Sequence, residues 1–228
     1  MTWSTGLART RAIAWKDLLT DLRGKAGIGA VIAFSVLMLV LFAFAIGPDP
    51  EALSNATAGI YWLAVLFSGV LTFNRSYQIE LDGGAFETLL LYPGARWPIF
   101  MGKLIANLAL ILAVELILVP LTLVLYHPPA SAAPLALAAV VVLGTVGFAT
   151  MGTFYAAMTS RVRSKEVILP LLLFPMLIPL FLAAVQATRA LLQGDAMGDS
   201  SAWIRLLAGF DVLFFTASLL TFEQVIEA

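Results

Sequence analysis

The sequence contains no cysteine, a single histidine and few charges. Without cysteine the chain has no disulfides, zinc-thiolate sites, iron–sulfur clusters or thiol nucleophiles, and no haem attached through C-x-x-C-H. The lone imidazole, His127, is a chemically competent ligand for haem iron or another metal. It stands beside Pro128 and Pro129 in a loop, a setting that favours an ordinary loop residue. The shortage of charge carries most information. Only 12% of the 228 residues are charged and 61% are hydrophobic, whereas a soluble domain carries about 25% charged residues. Mean hydropathy is +0.97. A soluble core of this size would still need a polar surface, so lipid must solvate most of these side chains. The net charge of -1 provides no basic field to attract nucleic acid.

Nucleotide-binding and catalytic motifs are missing too. Gly24-Lys25 has no glycine at the upstream spacing of G-x-x-x-x-G-K-[ST], and Ala26 follows where Ser or Thr is needed. Gly27-x-Gly29 lacks both the third glycine and the preceding strand of a dinucleotide fingerprint. Neither H-E-x-x-H nor G-x-S-x-G occurs. An intramembrane enzyme needs acids, His or Lys clustered at membrane depth, and none cluster; Glu80, Asp82 and Glu87 lack the spacing of a lipid-transferase metal site. The chain therefore reads as a non-enzyme, with no catalytic or metal residue assigned and no cofactor-binding residue identified. Asn55-Ala56-Thr57 and Asn74-Arg75-Ser76 match the glycosylation pattern, which is short enough to arise by chance.

What the chain has is apolar runs. Met1 to Lys25 is basic and mixed, and no A-x-A-like cleavage site separates it from the first run, so it is not a secretory signal. Within it, residues 4–25 form an amphipathic pattern, with Leu7, Ala8, Trp15, Leu18, Leu19 and Leu22 at helical spacing and Arg9, Lys16 and Arg23 mostly off that face. This predicts a helix lying in the membrane interface; a solvated lead-in is the plainer alternative. Six spans follow, at about 28–46, 56–73, 99–126, 135–158, 167–187 and 206–222. Gly47-Pro48-Asp49-Pro50 ends the first, and Tyr61 and Trp62 near the start of the second read as interfacial anchors. Residues 188–205 read as a polar connection. The expectation is an all-α polytopic membrane protein in which residues 1–228 form one transmembrane domain.

Lys and Arg orient it. The segment before the first span carries five (Arg9, Arg11, Lys16, Arg23, Lys25), the connection after the second carries Arg75 and Arg96 with Lys103 close by, and the connection after the fourth carries Arg161, Arg163 and Lys165. Only Arg189 and Arg205 fall on the other side, so both termini are expected to face the cytoplasm.

Two features stand out from the apolar background. Residues 74–98 are too charged for lipid, yet Ala85 to Leu91 is a short helical run between Asp82-Gly83-Gly84 and Tyr92-Pro93-Gly94. It is either a coupling helix that docks into a separate protein or an interfacial helix resting on headgroups. Glu115 lies near the middle of the third span, where a charge costs about 2.5–3.5 kcal/mol on insertion scales. It is either a functional carboxyl or a structural one bonded to a neighbouring helix. Asp211, six residues after Arg205, reads as an acid near the outer end of the sixth span with an interfacial or snorkelling role. The prolines at 170, 175 and 179 each remove a hydrogen bond from the fifth span.

Several pieces, in order and with matching spacing, resemble the haem exporter B (CcmB) family, a membrane subunit of the ABC transporter of bacterial cytochrome c maturation. They are Phe44-x-Ile46-Gly47-Pro48, Ala58-Gly59-Ile60-x-Trp62-x-Ala64, Asp82-Gly83 with Phe86-Glu87-x-Leu89-x-Leu91-x-Pro93, Lys103, Gly144-Thr145, Gly147-Phe148, Pro175-x-x-Ile178-Pro179 and Leu206-Leu207-Ala208-Gly209. The resemblance implies an ABC-2-type permease with an N-terminal interfacial helix and six spans. It implies that 82–93 is the coupling helix, with Asp82, Gly83, Phe86, Glu87, Leu90 and Pro93 as ATPase-coupling residues. It implies a homodimer in the bacterial inner membrane with the ATPase CcmA, beside CcmC and CcmD, serving the periplasmic haem chaperone CcmE. ATP then binds in the partner, and haem is the candidate cargo. Glu115 and His127 match no motif of the family. The expected function is coupling of a partner's ATP hydrolysis to haem export or release of the haem-loaded chaperone. The alternative is a stand-alone secondary transporter or channel using Glu115.

Overall fold

The computed structural model describes residues 3–78, 95–160, 165–195 and 198–227. Among them the regular structure is helical: α1 (Trp3–Arg23), α2 (Lys25–Ile46), α3 (Pro50–Ser76), α4 (Trp97–Tyr126), α5 (Pro134–Thr159), α6 (Lys165–Leu192) and α7 (Ser200–Glu227). Six of these helices, α2 to α7, are long and apolar enough to cross a bilayer. A helix satisfies its own backbone, which lipid cannot do. The chain is thus an all-helical, multi-pass membrane protein.

The helices outrun the apolar stretches that reveal them, because capping residues, not hydropathy, fix their ends. Gly47 turns the chain with φ of 86°. Asp49 then accepts hydrogen bonds from the N–H groups of Glu51 (3.0 Å) and Ala52 (3.4 Å), with Pro50 in the first turn. So α3 starts at Pro50, well before the apolar run at 56. Tyr61 and Trp62 consequently sit three turns into the helix and are buried in the core, which corrects their reading as interfacial anchors. Likewise α6 continues to Leu192 and α7 begins at Ser200, so the polar connection shrinks to 193–199. There Asp195 accepts from the Ser200 N–H (3.1 Å) and from the Ser200 hydroxyl. These bonds hold the Asp195 carboxyl below the usual carboxylate range.

Packing centres on α5, which touches α3, α4, α6 and α7. Its glycines admit rings from α3: the Trp62 indole lies over Gly144 and the Phe73 ring over Gly152, where a methyl group would collide. Edge-to-face contacts link Trp62 to Phe181 (5.8 Å between centroids), Phe181 to Phe148 (5.2 Å) and Phe148 to Phe73 (5.0 Å), tying α3, α6 and α5 together. Such pairs contribute about 0.5–1.5 kcal/mol each beyond their buried area. α6 runs through Pro170, Pro175 and Pro179, and α4 through Pro120, without breaking. α2 packs on α3 and α4, and α7 on α5 and α6.

α1 lies against the first turns of α4. Its packed stripe is small or polar: Gly6 takes the Trp97 ring, Thr10 and Ala14 are buried, and Ile13 fits over Gly102. Leu7, Trp15 and Leu22 on the apolar side stay exposed, as side chains facing lipid do.

Candidate functional site

α4 carries a polar stripe along its inner face. Lys103, Asn107, Glu115, Thr122 and Tyr126 are all buried and recur at multiples of nearly one helical turn. Four of them bond to other helices. Lys103 Nζ lies 3.2 Å from Asp17 Oδ2 of α1, donates to the Ser76 carbonyl of α3 at 2.6 Å, and sits 4.5 Å from the centre of the Tyr77 ring. Asn107 Nδ2 donates to Thr153 Oγ1 of α5 (2.9 Å), and the Tyr126 hydroxyl donates to the Leu39 carbonyl of α2 (2.8 Å).

Glu115 is 3% exposed. Its Oε1 accepts from the Thr145 hydroxyl at 2.8 Å, while that hydroxyl also lies 2.8 Å from the Val141 carbonyl, so a single proton has two acceptors in reach. The Tyr61 hydroxyl lies beside the same carboxyl. Glu115 Oε2, Tyr61 Oη and Thr122 Oγ1 are buried, and Thr122 Oγ1 has no hydrogen-bond partner among the described residues. All three line one open-sided cavity of about 820 Å³ between α3, α4, α5 and α6. Thr188 lines it as well and accepts from the Trp62 indole N–H at 3.0 Å.

Asp211 is the second carboxyl inside the bundle. It is 7% exposed, and its Oδ1 sits against Gly147. Because α7 begins six residues before its apolar run, Asp211 falls near the helix midpoint, and the interfacial reading is corrected to a buried one. Thr145 and Gly147 point to opposite sides of α5 and differ by about 3 Å in height. The structure therefore separates Glu115 and Asp211 by one helix at nearly equal depth and does not bring them together.

At the α1 end, Asp21 and Arg75 join the neighbourhood of Asp17 and Lys103. Burial pushes the Asp21 carboxyl above its ordinary range; Arg75 opposes this, Asp17 adds to it and Lys103 opposes it more weakly. The Arg75 guanidinium covers Gly27, at the start of α2. His127 ends α4 in a left-handed conformation (φ 45°) and is exposed. Among the described residues no three His, Asp or Glu side chains gather into a metal-sized group. Residues Asp82, Gly83, Phe86, Glu87, Leu90 and Pro93 lie outside the described residues, as do Arg161 and Arg163.

The stripe on α4 was readable only in part. Glu115 stands out as an acid in an apolar run; Lys103 passes for a membrane-edge cation, although none of its side chain is exposed. The missed signal is spacing: polar residues four, eight and seven positions apart in one span share a face, and in lipid that face turns inward. Thr145 and Tyr61 become visible only once two helices are placed together.

Six bilayer-length helices around a glycine-lined centre, with a polar face on α4, define a multi-pass membrane protein. The chain matches the family described as CcmB protein over residues 9–227 and belongs to that family. It is 31% identical over 192 residues to "Heme exporter protein B" of Rhodobacter capsulatus, covering 82% of this chain and 85% of that protein. It is 30% identical over 201 residues to the protein of the same name from Paracoccus denitrificans (87% and 89% covered). The Haemophilus influenzae protein of that name is 30% identical over 175 residues (77% and 79%).

Proposed function

We propose that this chain is the permease subunit of an ABC transporter for cytochrome c biogenesis, coupling ATP hydrolysis in a partner to haem export or to release of a haem-loaded periplasmic chaperone. The observation that carries the reading is the family match over residues 9–227, whose relatives are named as haem exporters. The chain has no phosphate-cradling loop of its own, so the energy has to come from another chain. The partners are then the ATPase CcmA, the membrane proteins CcmC and CcmD and the chaperone CcmE, with two copies of this chain in the inner membrane and both termini cytoplasmic.

In this reading the segment 82–93 is the handle on which the ATPase pulls. Its two roots are anchored to one lever: Ser76 and Tyr77 are held by Lys103, and Trp97 rests on Gly6 of α1. A push on the handle is transmitted to α3, α4 and α1 as a rigid unit, a shift of packed helices rather than a local deformation. Glu87→Arg and Leu90→Asp are expected to leave membrane insertion intact while reducing co-purification of the ATPase in mild detergent and abolishing cytochrome c maturation. Undiminished ATPase binding and maturation in both variants would remove the proposal.

A further inference from the structure

The cavity beside Glu115 has the size of a ligand site; such sites occupy about 300–1,000 Å³. Its walls are unequal. Leu116, Val119, Leu123, Leu137 and Val142 make up much of one side, and Leu116 and Leu123 are exposed on the lipid-facing surface, so the cavity opens sideways toward the bilayer. The opposite edge carries Thr57, Tyr61, Glu115, Thr122 and Thr188. Two polar groups of the lining, on side chains each at least 95% buried, face the cavity: the Glu115 carboxyl with the Tyr61 hydroxyl beside it, and Thr122 Oγ1, which has no hydrogen-bond partner among the described residues. In native proteins a buried polar atom without a partner calls for an explanation, and Thr122 Oγ1 together with a buried acid in one lipid-facing cavity points to a polar occupant.

We propose that this cavity binds an amphiphile entering from the lipid, with an alkyl body and a hydrogen-bond-donating end, an ammonium or a hydroxyl. The alkyl body lies against the aliphatic wall, continuous with the membrane. The donating end meets Thr122 and the Glu115 carboxyl with Tyr61 beside it. Among the described residues Glu115 is the only acid lining the cavity, and no Lys, Arg or His lines it. An anionic end therefore finds no counter-charge there, and a cationic one does. The cavity is lined by residues outside 82–93, and its occupancy does not depend on the ATPase.

The test uses the full chain in nanodiscs of zwitterionic lipid, with dodecylamine, dodecanol and dodecanoate as probes and native mass spectrometry to count bound molecules. Dodecylamine is expected to bind at least about tenfold more tightly than dodecanoate, with dodecanol between them. Glu115→Gln is expected to weaken dodecylamine about tenfold and to leave dodecanol within about twofold, because only the charge is lost. Ala138→Trp, at the lipid-exposed mouth, fills the cavity and is expected to weaken both probes. Thr122→Val, which keeps the acid and removes one hydroxyl, is expected to weaken dodecanol severalfold, and it serves if Glu115→Gln does not fold. Equal binding of the three probes, or binding untouched by Ala138→Trp, would overturn the proposal.

Discussion

Lys103 exposes none of its side chain, whereas Asp17 keeps 12% in contact with solvent, so the two charges of this pair are not interchangeable. Without Asp17, a cation is left buried with the Ser76 carbonyl and the Tyr77 ring but without its acid. Without Lys103, the acid can still reach water and has Lys16 Nζ 3.0 Å away. Removing one partner of a buried pair costs about 3–5 kcal/mol when the other is stranded. Asp17→Asn is therefore expected to destabilise the protein by about 3 kcal/mol and to lower the melting temperature in detergent more than Lys103→Met does. The reverse order would mean that Lys103 is hydrated. Sequence shows the charge of Lys103 but not its burial, because burial depends on α1 folding back over the start of α4. The buried contacts of α1 are small and polar residues that no apolar pattern marks.

The helices themselves were legible as long apolar runs, and their ends were not. Asp49-Pro50 is a capping signal in plain view, yet the polar residues just after it, Glu51, Ser54 and Asn55, mask the first turns of α3. The same effect hid the extra turns of α6 and α7, and with them the true depth of Asp211. Glycines divide by what they touch. Gly144 and Gly152 carry rings from α3, while nothing lies within 4 Å of a methyl placed at Gly209. Gly144→Ala and Gly152→Ala should each cost about 1–3 kcal/mol through overpacking. Gly209→Ala should be neutral or stabilising by up to about 1 kcal/mol, since it only stiffens the helix. Thermal unfolding of the three variants checks this, and equal melting temperatures would contradict the packing at α5.

By the order of the spans, eleven basic residues fall on the side of the N-terminal segment and two, Arg189 and Arg205, on the other. This count needs only the order of spans, and the orientation it predicts is open to test. A chain free of cysteine is a clean background in which to test the resulting orientation. Ala132→Cys, between α4 and α5, is expected to react with a membrane-impermeant maleimide in intact cells. Glu223→Cys, near the end of α7, is expected to react only after lysis. The opposite pattern would invert the topology and overturn the proposal that 82–93 serves a cytoplasmic ATPase.

The polar face of α4 also sets an order of assembly. Ribosomes make α1, α2 and α3 first, so the partners of Lys103 and Tyr126 are already present when α4 emerges. Thr153, which accepts from Asn107, and Thr145, which donates to Glu115, are on α5 and have not yet been synthesised; only Tyr61 of α3 is already there to meet Glu115. Until then α4 is held at its two ends and only partly compensated at its middle. It becomes a comfortable resident of the bilayer only as one half of a hairpin with the helix that follows it.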